Sequence, residues 1–250
     1  MSPVSMTRHG EIAVVTVDNP PVNALSQAVR KGLLDCIDEA ESDGECRAIV
    51  IACAGRTFIA GADIREFGKP PLEPYLPDVV NRIEACTKPV VAAIHGTALG
   101  GGFEVALGCH YRIAAASGAV GLPEVNLGLL PGAGGTQRLP RLAGAEKAMD
   151  VMLSGKPVKA PAALTTGAID RVDESDDLLA AALAFAGECV EQGPRRIRDL
   201  EVPDVDPGIF DETRKRIAPR TRGLVSPEKI IRAVELSTQV SFDDGCAAER

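Results

Sequence analysis

Apolar and polar positions alternate along this chain in two rhythms. In the first, apolar residues come in runs of five or six, at Ile12–Val17 (broken only by Thr16), Ala48–Cys53 and Val90–Ile94. Strands covered on both faces read this way. In the second rhythm they recur every three to four residues. Leu33, Leu34, Ile37 and Ala40 share one face of a helix over 26–41, with Ser26 placed to cap it. The same spacing predicts helices over 136–142, 146–154 and 177–192 and one opening near Gly102, while 111–114, 119–121 and 170–172 read as short strands. Because strands and helices alternate, the fold class is α/β with mainly parallel pairing.

Two stretches depart from this alternation. Residues 68–77 hold four prolines, which predicts an irregular surface loop. After Gly193, Pro203, Asp204, Asp206, Pro207 and Gly208 mark a linker, followed by helices over 210–217 and from Ser226, read as an N-cap with Pro227 at the first helical position. This predicts a body over residues 1–192 and a helical C-terminal region over 193–250.

Composition narrows the partners. Aromatic residues are 3% of the chain and Trp is absent, so the core is built from Ala, Val, Leu and Ile and offers no stacking platform for bases. A net charge of −8 opposes a polyanion, and nucleic acid is not an expected partner. The seven cysteines contain no C-x-x-C pair and read as small apolar residues in a reducing compartment. The first ten residues hold no apolar run of signal-peptide type, and the longest apolar stretch, 178–186, is too short to cross a bilayer. The expected location is cytoplasmic, with no membrane partner.

Two glutamates twenty positions apart carry the candidate chemistry. Glu104 closes Ala98-Leu99-Gly100-Gly101-Gly102-Phe103-Glu104. Glu124 lies in Gly121-Leu122-Pro123-Glu124, ahead of Pro131-Gly132-Ala133-Gly134-Gly135-Thr136. Each feature alone has an ordinary reading: a tight turn that only glycine fits, a dipole partner in a first helical turn, a solvated surface carboxylate. Together they put two carboxylates in an apolar neighbourhood that raises a carboxyl pKa toward neutrality. Such a pair can pass protons on and off carbon around a shared water while bare glycine N–H groups meet a developing oxyanion. That is the chemistry of adding water to a double bond conjugated to a carbonyl. Phe58-Ile59-Ala60-Gly61-Ala62-Asp63-Ile64-Arg65-Glu66-Phe67 reads equally as a strand end with an Asp63-capped helix start, or as a turn aiming the Ala62 N–H into the same pocket as Gly101. No G-x-G-x-x-G, G-x-S-x-G or H-E-x-x-H motif occurs, and His9, His95 and His110 are scattered and read as structural.

Through Phe58-Ile59-Ala60-Gly61-Ala62-Asp63-Ile64, the triple-glycine segment, Gly121-Leu122-Pro123-Glu124 and Pro131-Gly132-Ala133-Gly134-Gly135-Thr136-Gln137-Arg138-Leu139, the chain resembles the enoyl-CoA hydratase/isomerase (crotonase) superfamily over residues 12–172. Within it the chain is most similar to the N-terminal hydratase/isomerase module of multifunctional β-oxidation enzymes. The resemblance implies a crotonase-like spiral of repeated ββα units with a helical C-terminal region. It implies that the Ala62 and Gly101 N–H groups form an oxyanion hole for a thioester carbonyl, that Glu104 and Glu124 are the acid–base pair, and that Gly132 orients one of those carboxylates through its N–H. Ala60, Ala62, Asp63, Ile64 and Arg65 are implied along the adenine and pantetheine path of coenzyme A, with Arg65 and Lys69 toward its phosphates by charge.

The implied activity is reversible hydration of a trans-2-enoyl-CoA to the 3-hydroxyacyl-CoA, with 3-enoyl to 2-enoyl isomerisation at the same site. Isomerisation alone and a non-catalytic acyl-CoA-binding or assembly module are the alternatives. The implied partner is an acyl-CoA thioester, with no metal and no cofactor, coenzyme A being part of the substrate. Relatives that act alone associate as trimers through C-terminal helices. With Ile230, Ile231, Val234 and Leu236 spread widely around one such helix here, the resemblance predicts a trimer-based homo-oligomer in which this helix is buried against its own core or a neighbour.

Overall fold

A computed structural model describes residues 2–66, 68–203 and 205–250; Phe67 of the third candidate segment and Asp204 of the linker lie outside the described residues. The strands are β1 (Val4–His9), β2 (Ile12–Val17), β3 (Ala48–Cys53), β4 (Val90–Ile94), β5 (Thr97–Leu99), β6 (Tyr111–Ala115), β7 (Ala119–Gly121), β8 (Val158–Lys159) and β9 (Arg171–Asp173). The helices are α1 (Gln27–Ser42), α2 (Leu76–Glu84), α3 (Gly101–Gly108), α4 (Gly135–Ala143), α5 (Ala145–Ser154), α6 (Ala160–Thr165), α7 (Leu178–Gln192), α8 (Gly208–Ile217), α9 (Ser226–Leu236) and α10 (Phe242–Glu249). Two strands and a helix recur as β1-β2-α1, β4-β5-α3 and β6-β7-α4, the repeated unit that the resemblance implies.

One sheet has the order β1-β2-β3-β4-β6-β9, antiparallel only at β1–β2; a second, β5-β7-β8, stands apart from it. The central runs are apolar throughout because both faces of the first sheet are covered. Val14, Ala48, Val50 and Val91 meet Phe185 and Cys189 of α7, while Val15, Ile49, Ile51 and Ala92 join the core formed with α1, α2 and α3. His110 belongs to this packing: Val90 N–H donates to its Nδ1 at 3.0 Å, and its Nε2 bonds the Glu84 carbonyl at 3.0 Å. Burial pushes its pKa down to about 4, so the ring is neutral and structural.

Several expectations change on contact with the structure. β1 was not anticipated, because only Val4 of it is buried and the rest is an outer edge. Leu76 and Pro77 belong to the first turn of α2 rather than to the proline-rich loop, a position where the missing N–H costs nothing. Ser226 is the first residue of α9 and Val225 its N-cap. α10 was also not anticipated; it is capped by Ser241, whose hydroxyl accepts from Asp244 N–H. The apolar face of α9 meets the chain's own core: Ile230, Ile231 and Val234 are fully buried.

Candidate active site

The site lies where α3, α4 and the 3₁₀ turn Pro123–Leu127 converge. The chain leaves β5 and turns into α3 at Gly100, at φ 53° and ψ −129°, a conformation that an L side chain resists. A Cβ there would also stand 3.0 Å from Glu124 Oε1. At Gly102 a Cβ would fall 2.8 Å from Ile59 Cβ and closer still to the Ile59 carbonyl. The absence of side chains thus seats the start of α3 directly on the segment from Phe58 to Ala62. A Cβ built on Gly101 would lie 3.8 Å from Ala62 N, so these two backbone N–H groups are neighbours. Among the described residues neither donates to a protein acceptor.

Glu104, in the first turn of α3, is 3% exposed. Its Oε1 accepts from Ala133 N–H at 2.7 Å and Gly135 N–H at 2.9 Å. Among the described residues its Oε2 has no protein partner. Burial raises its pKa well above the usual carboxylate range, the charges of Glu249 and Glu124 add to this, and the two N–H donors oppose it. Glu124 Oε2 is buried without a hydrogen-bond partner, and burial pushes the Glu124 carboxyl up to about 7. Leu122, in the core beside it, makes this wall apolar. The fold therefore brings both glutamates to one place and leaves each with an oxygen unclaimed by protein.

The orienting donors for Glu104 are Ala133 and Gly135, not Gly132. Successive amides of this turn point in alternate directions, so the carboxylate that reaches 133 also reaches 135 and misses the neighbours. The intervening donors go to Glu249 of α10: Gly134 N–H at 2.6 Å to Oε1 and Thr136 N–H at 3.0 Å to Oε2, with the Thr136 hydroxyl on Oε2 as well. Sequence reasoning missed Glu249. The available signal was Ser241 followed by Asp243 and Asp244, a helix start that would have carried α10 inward.

Next to Ala62 a cleft of about 240 Å³ is lined by Arg30, Asp63, Lys69, Leu72 and Tyr75 among others. Arg30, also unforeseen, organises it: its guanidinium donates to the Leu25, Leu72 and Pro74 carbonyls and pairs with Glu66 at 2.8 Å. Ile64 is exposed. Asp63 is buried and holds Arg65 bidentately, at 2.9 and 2.7 Å, and this pairing keeps the Asp63 carboxyl below its ordinary range. Ala60 N–H is engaged by the Val22 carbonyl.

Comparison with known proteins gives a consistent family. The family model described as enoyl-CoA hydratase/isomerase matches residues 7–202. The chain is 44% identical over 95% of its length to the peroxisomal bifunctional enzyme of Danio rerio, matching 33% of that protein. It is 42% identical to a Bacillus subtilis protein named probable enoyl-CoA hydratase, covering 80% of this chain and 81% of the relative. A solved enoyl-CoA hydratase subunit from Geobacillus kaustophilus superposes with a TM-score of 0.71 at 28% identity, over 99% of this chain and 87% of that one. The chain thus spans about a third of the length of the bifunctional relatives. These names go against the cytoplasmic expectation: several relatives are called peroxisomal or glyoxysomal.

Proposed function

The chain belongs to the enoyl-CoA hydratase/isomerase family, and from that premise we propose that it hydrates trans-2-enoyl-CoA thioesters reversibly to 3-hydroxyacyl-CoA in fatty acid β-oxidation. One observation carries the proposal. Two neighbouring carboxylates with raised proton affinity, Glu104 buried and Glu124 half-buried, each keep an oxygen without a protein partner among the described residues, beside two backbone N–H groups that are likewise unengaged.

In this reading the Ala62 and Gly101 N–H groups hold the thioester oxygen as it gains enolate character. Glu104, fixed by Ala133 and Gly135, takes a proton from the water whose oxygen bonds C3. Glu124 delivers a proton to C2, and the pair exchanges protons as a coupled unit. Ala60, Ala62, Asp63, Ile64 and Arg65 border the path of the coenzyme A moiety, with Gly132 at the rim of the catalytic turn. The overall step moves no electrons between substrate and a carrier, so the reading includes no metal and no cofactor apart from the coenzyme A of the substrate. With Glu124 moving a proton from C4 to C2, the same site shifts a 3-enoyl double bond to the 2 position. Residues 1–192 then form the catalytic body and 193–250 a helical region that closes it.

We also propose a trimer-based homo-oligomer. Since α9 buries its apolar face on its own core, association would use other exposed apolar residues, among them Leu127, Leu129, Leu224 and Val225. A single-chain mass by light scattering at micromolar concentration would remove this part of the proposal.

The deciding assay adds crotonyl-CoA and follows absorbance at the enoyl thioester band. A saturable loss of the band supports hydration. Binding with an unchanged band would favour the non-catalytic module, and turnover of 3-enoyl-CoA alone would favour isomerisation only.

A further inference from the structure

The proposed hydration uses two carboxylates, and the α4 entry holds a third. Four consecutive amides, Ala133 to Thr136, are divided alternately between Glu104 and Glu249. Glu249 is 4% exposed, and the two carboxylates are therefore buried against one another on adjacent peptide units. Building on the hydration reading, we infer that Glu249 is a positioning residue for Glu104: its charge, seated on the alternate amides of the same turn, strengthens Glu104 as the base toward water.

The two acids are not held equally. Glu249 has both oxygens bonded, by two N–H groups and the Thr136 hydroxyl. Glu104 has one oxygen bonded and the other free. Burial raises the proton affinity of both, but bonds to the charged form oppose this at both oxygens of Glu249 and at only one of Glu104, so within the pair Glu104 keeps its proton to higher pH. The groups facing the pair point the same way. From α3 Glu249 meets Glu104, from the 3₁₀ turn Glu124, and from α4 the Arg138 guanidinium, which favours its ionised form. On its own helix it faces the neutral thiol of Cys246, with Arg250 at the rim of the same small cavity. α9 is tied to the same turn through Gln137, which donates to the Ala233 carbonyl and to the Thr136 hydroxyl. Arg138 also stacks 4.9 Å above Phe242 of α10 and donates to the Ala133 carbonyl at 3.0 Å, fixing helix and turn in one register.

A docking role for Glu249 and an electrostatic one separate in a pH profile. The test measures kcat/KM for crotonyl-CoA against pH in the full chain, with thermal unfolding recorded in parallel. For Glu249→Gln, which keeps an acceptor but removes the charge, the acid limb moves to lower pH by on the order of one unit, and the plateau falls about tenfold as the base weakens. Glu249→Asp retains the charge, and its acid limb stays at the wild-type pH even where kcat drops. A folded Glu249→Gln protein with an unmoved acid limb overturns the inference.

If the Gln variant does not fold, or if the wild type shows no hydration, the pairing is read without turnover. Carboxyl ¹³C NMR of glutamate-labelled Glu124→Gln protein follows Glu104, identified by the signal that Glu104→Gln removes. Two coupled steps support the pairing with Glu249. A single independent step overturns it whatever the reaction proves to be.

Discussion

At the entry to α3 and at the entry to α4 the chain does the same thing locally. Glycines carry a turn into a helix, and bare N–H groups gather at the positive end of its dipole. The loads differ. At α3 the Gly101 N–H is left unengaged beside that of Ala62, whereas at α4 all four amides from Ala133 to Thr136 are consumed by two carboxylates. The difference lies in what the rest of the fold brings to each turn. α3 faces a cleft, and α4 faces Glu104 on one side and α10 on the other. Identical backbone chemistry thus serves as a receptor for a passing charge in one place and as a mount for resident acids in the other.

The strongest way to break this comparison is to remove the acid mounted on α4. Glu104→Gln should lower hydration kcat by roughly 10²- to 10⁴-fold with acyl-CoA binding retained. Near wild-type turnover would show that the mounted carboxylate is structural. The complementary test removes a donor on the receptor side. Ala62→Pro deletes one N–H, and kcat should fall on the order of 10²- to 10³-fold, with circular dichroism confirming that the turn survives the proline. Undiminished rate in a folded protein would place the receptor elsewhere.

Two smaller effects sharpen the picture. Gly102→Ala drives a methyl into the Ile59 backbone and should cost about 1–3 kcal/mol in chemical denaturation; a neutral result would mean that α3 does not rest on this segment. Glu124 holds its proton to about pH 7 when folded, against an ordinary value of 4.5. The folded state therefore carries the extra proton between these values. This group's contribution to stability is full below the lower pH and is lost as pH rises through the upper one, on the order of 1–2 kcal/mol given its partial exposure. Glu124→Gln should flatten that slope in urea titrations across the window, and an unchanged slope would deny the raised proton affinity.

Much of the fold was legible because burial on two faces and helical spacing leave strong marks. The runs at β2, β3 and β4 read directly, and Ser26 caps α1 as its hydroxyl suggests, accepting from Val29 N–H. α10 left a weaker mark. Phe242-Asp243-Asp244-Gly245-Cys246-Ala247-Ala248-Glu249 offers little periodicity, and Gly245, a poor helix former, stands where any Cβ would strike the Gln137 side chain. At the site, Glu104 and Glu124 stood out through their glycine and proline neighbours. The choice of Ala133 and Gly135 over Gly132 depends on which way each peptide plane turns, which residue type does not encode. Glu249 and Arg30 act through partners far along the chain, and only the Ser241 cap of α10 left a local mark.

The bonds that load the α4 turn also differ in reach. Glu104 finds its donors across 29 and 31 positions, Glu249 across 115 and 113. Closing a longer loop costs more entropy, and contacts of large sequence separation slow folding. The body can therefore assemble with the turn half loaded. Until α10 docks, Gly134 and Thr136 present open amides at the positive end of a helix, beside a carboxylate already sealed in. Loosening of α10 should therefore open the Gly134 and Thr136 amides to solvent while those held by Glu104 stay closed, a difference that amide hydrogen exchange reads directly.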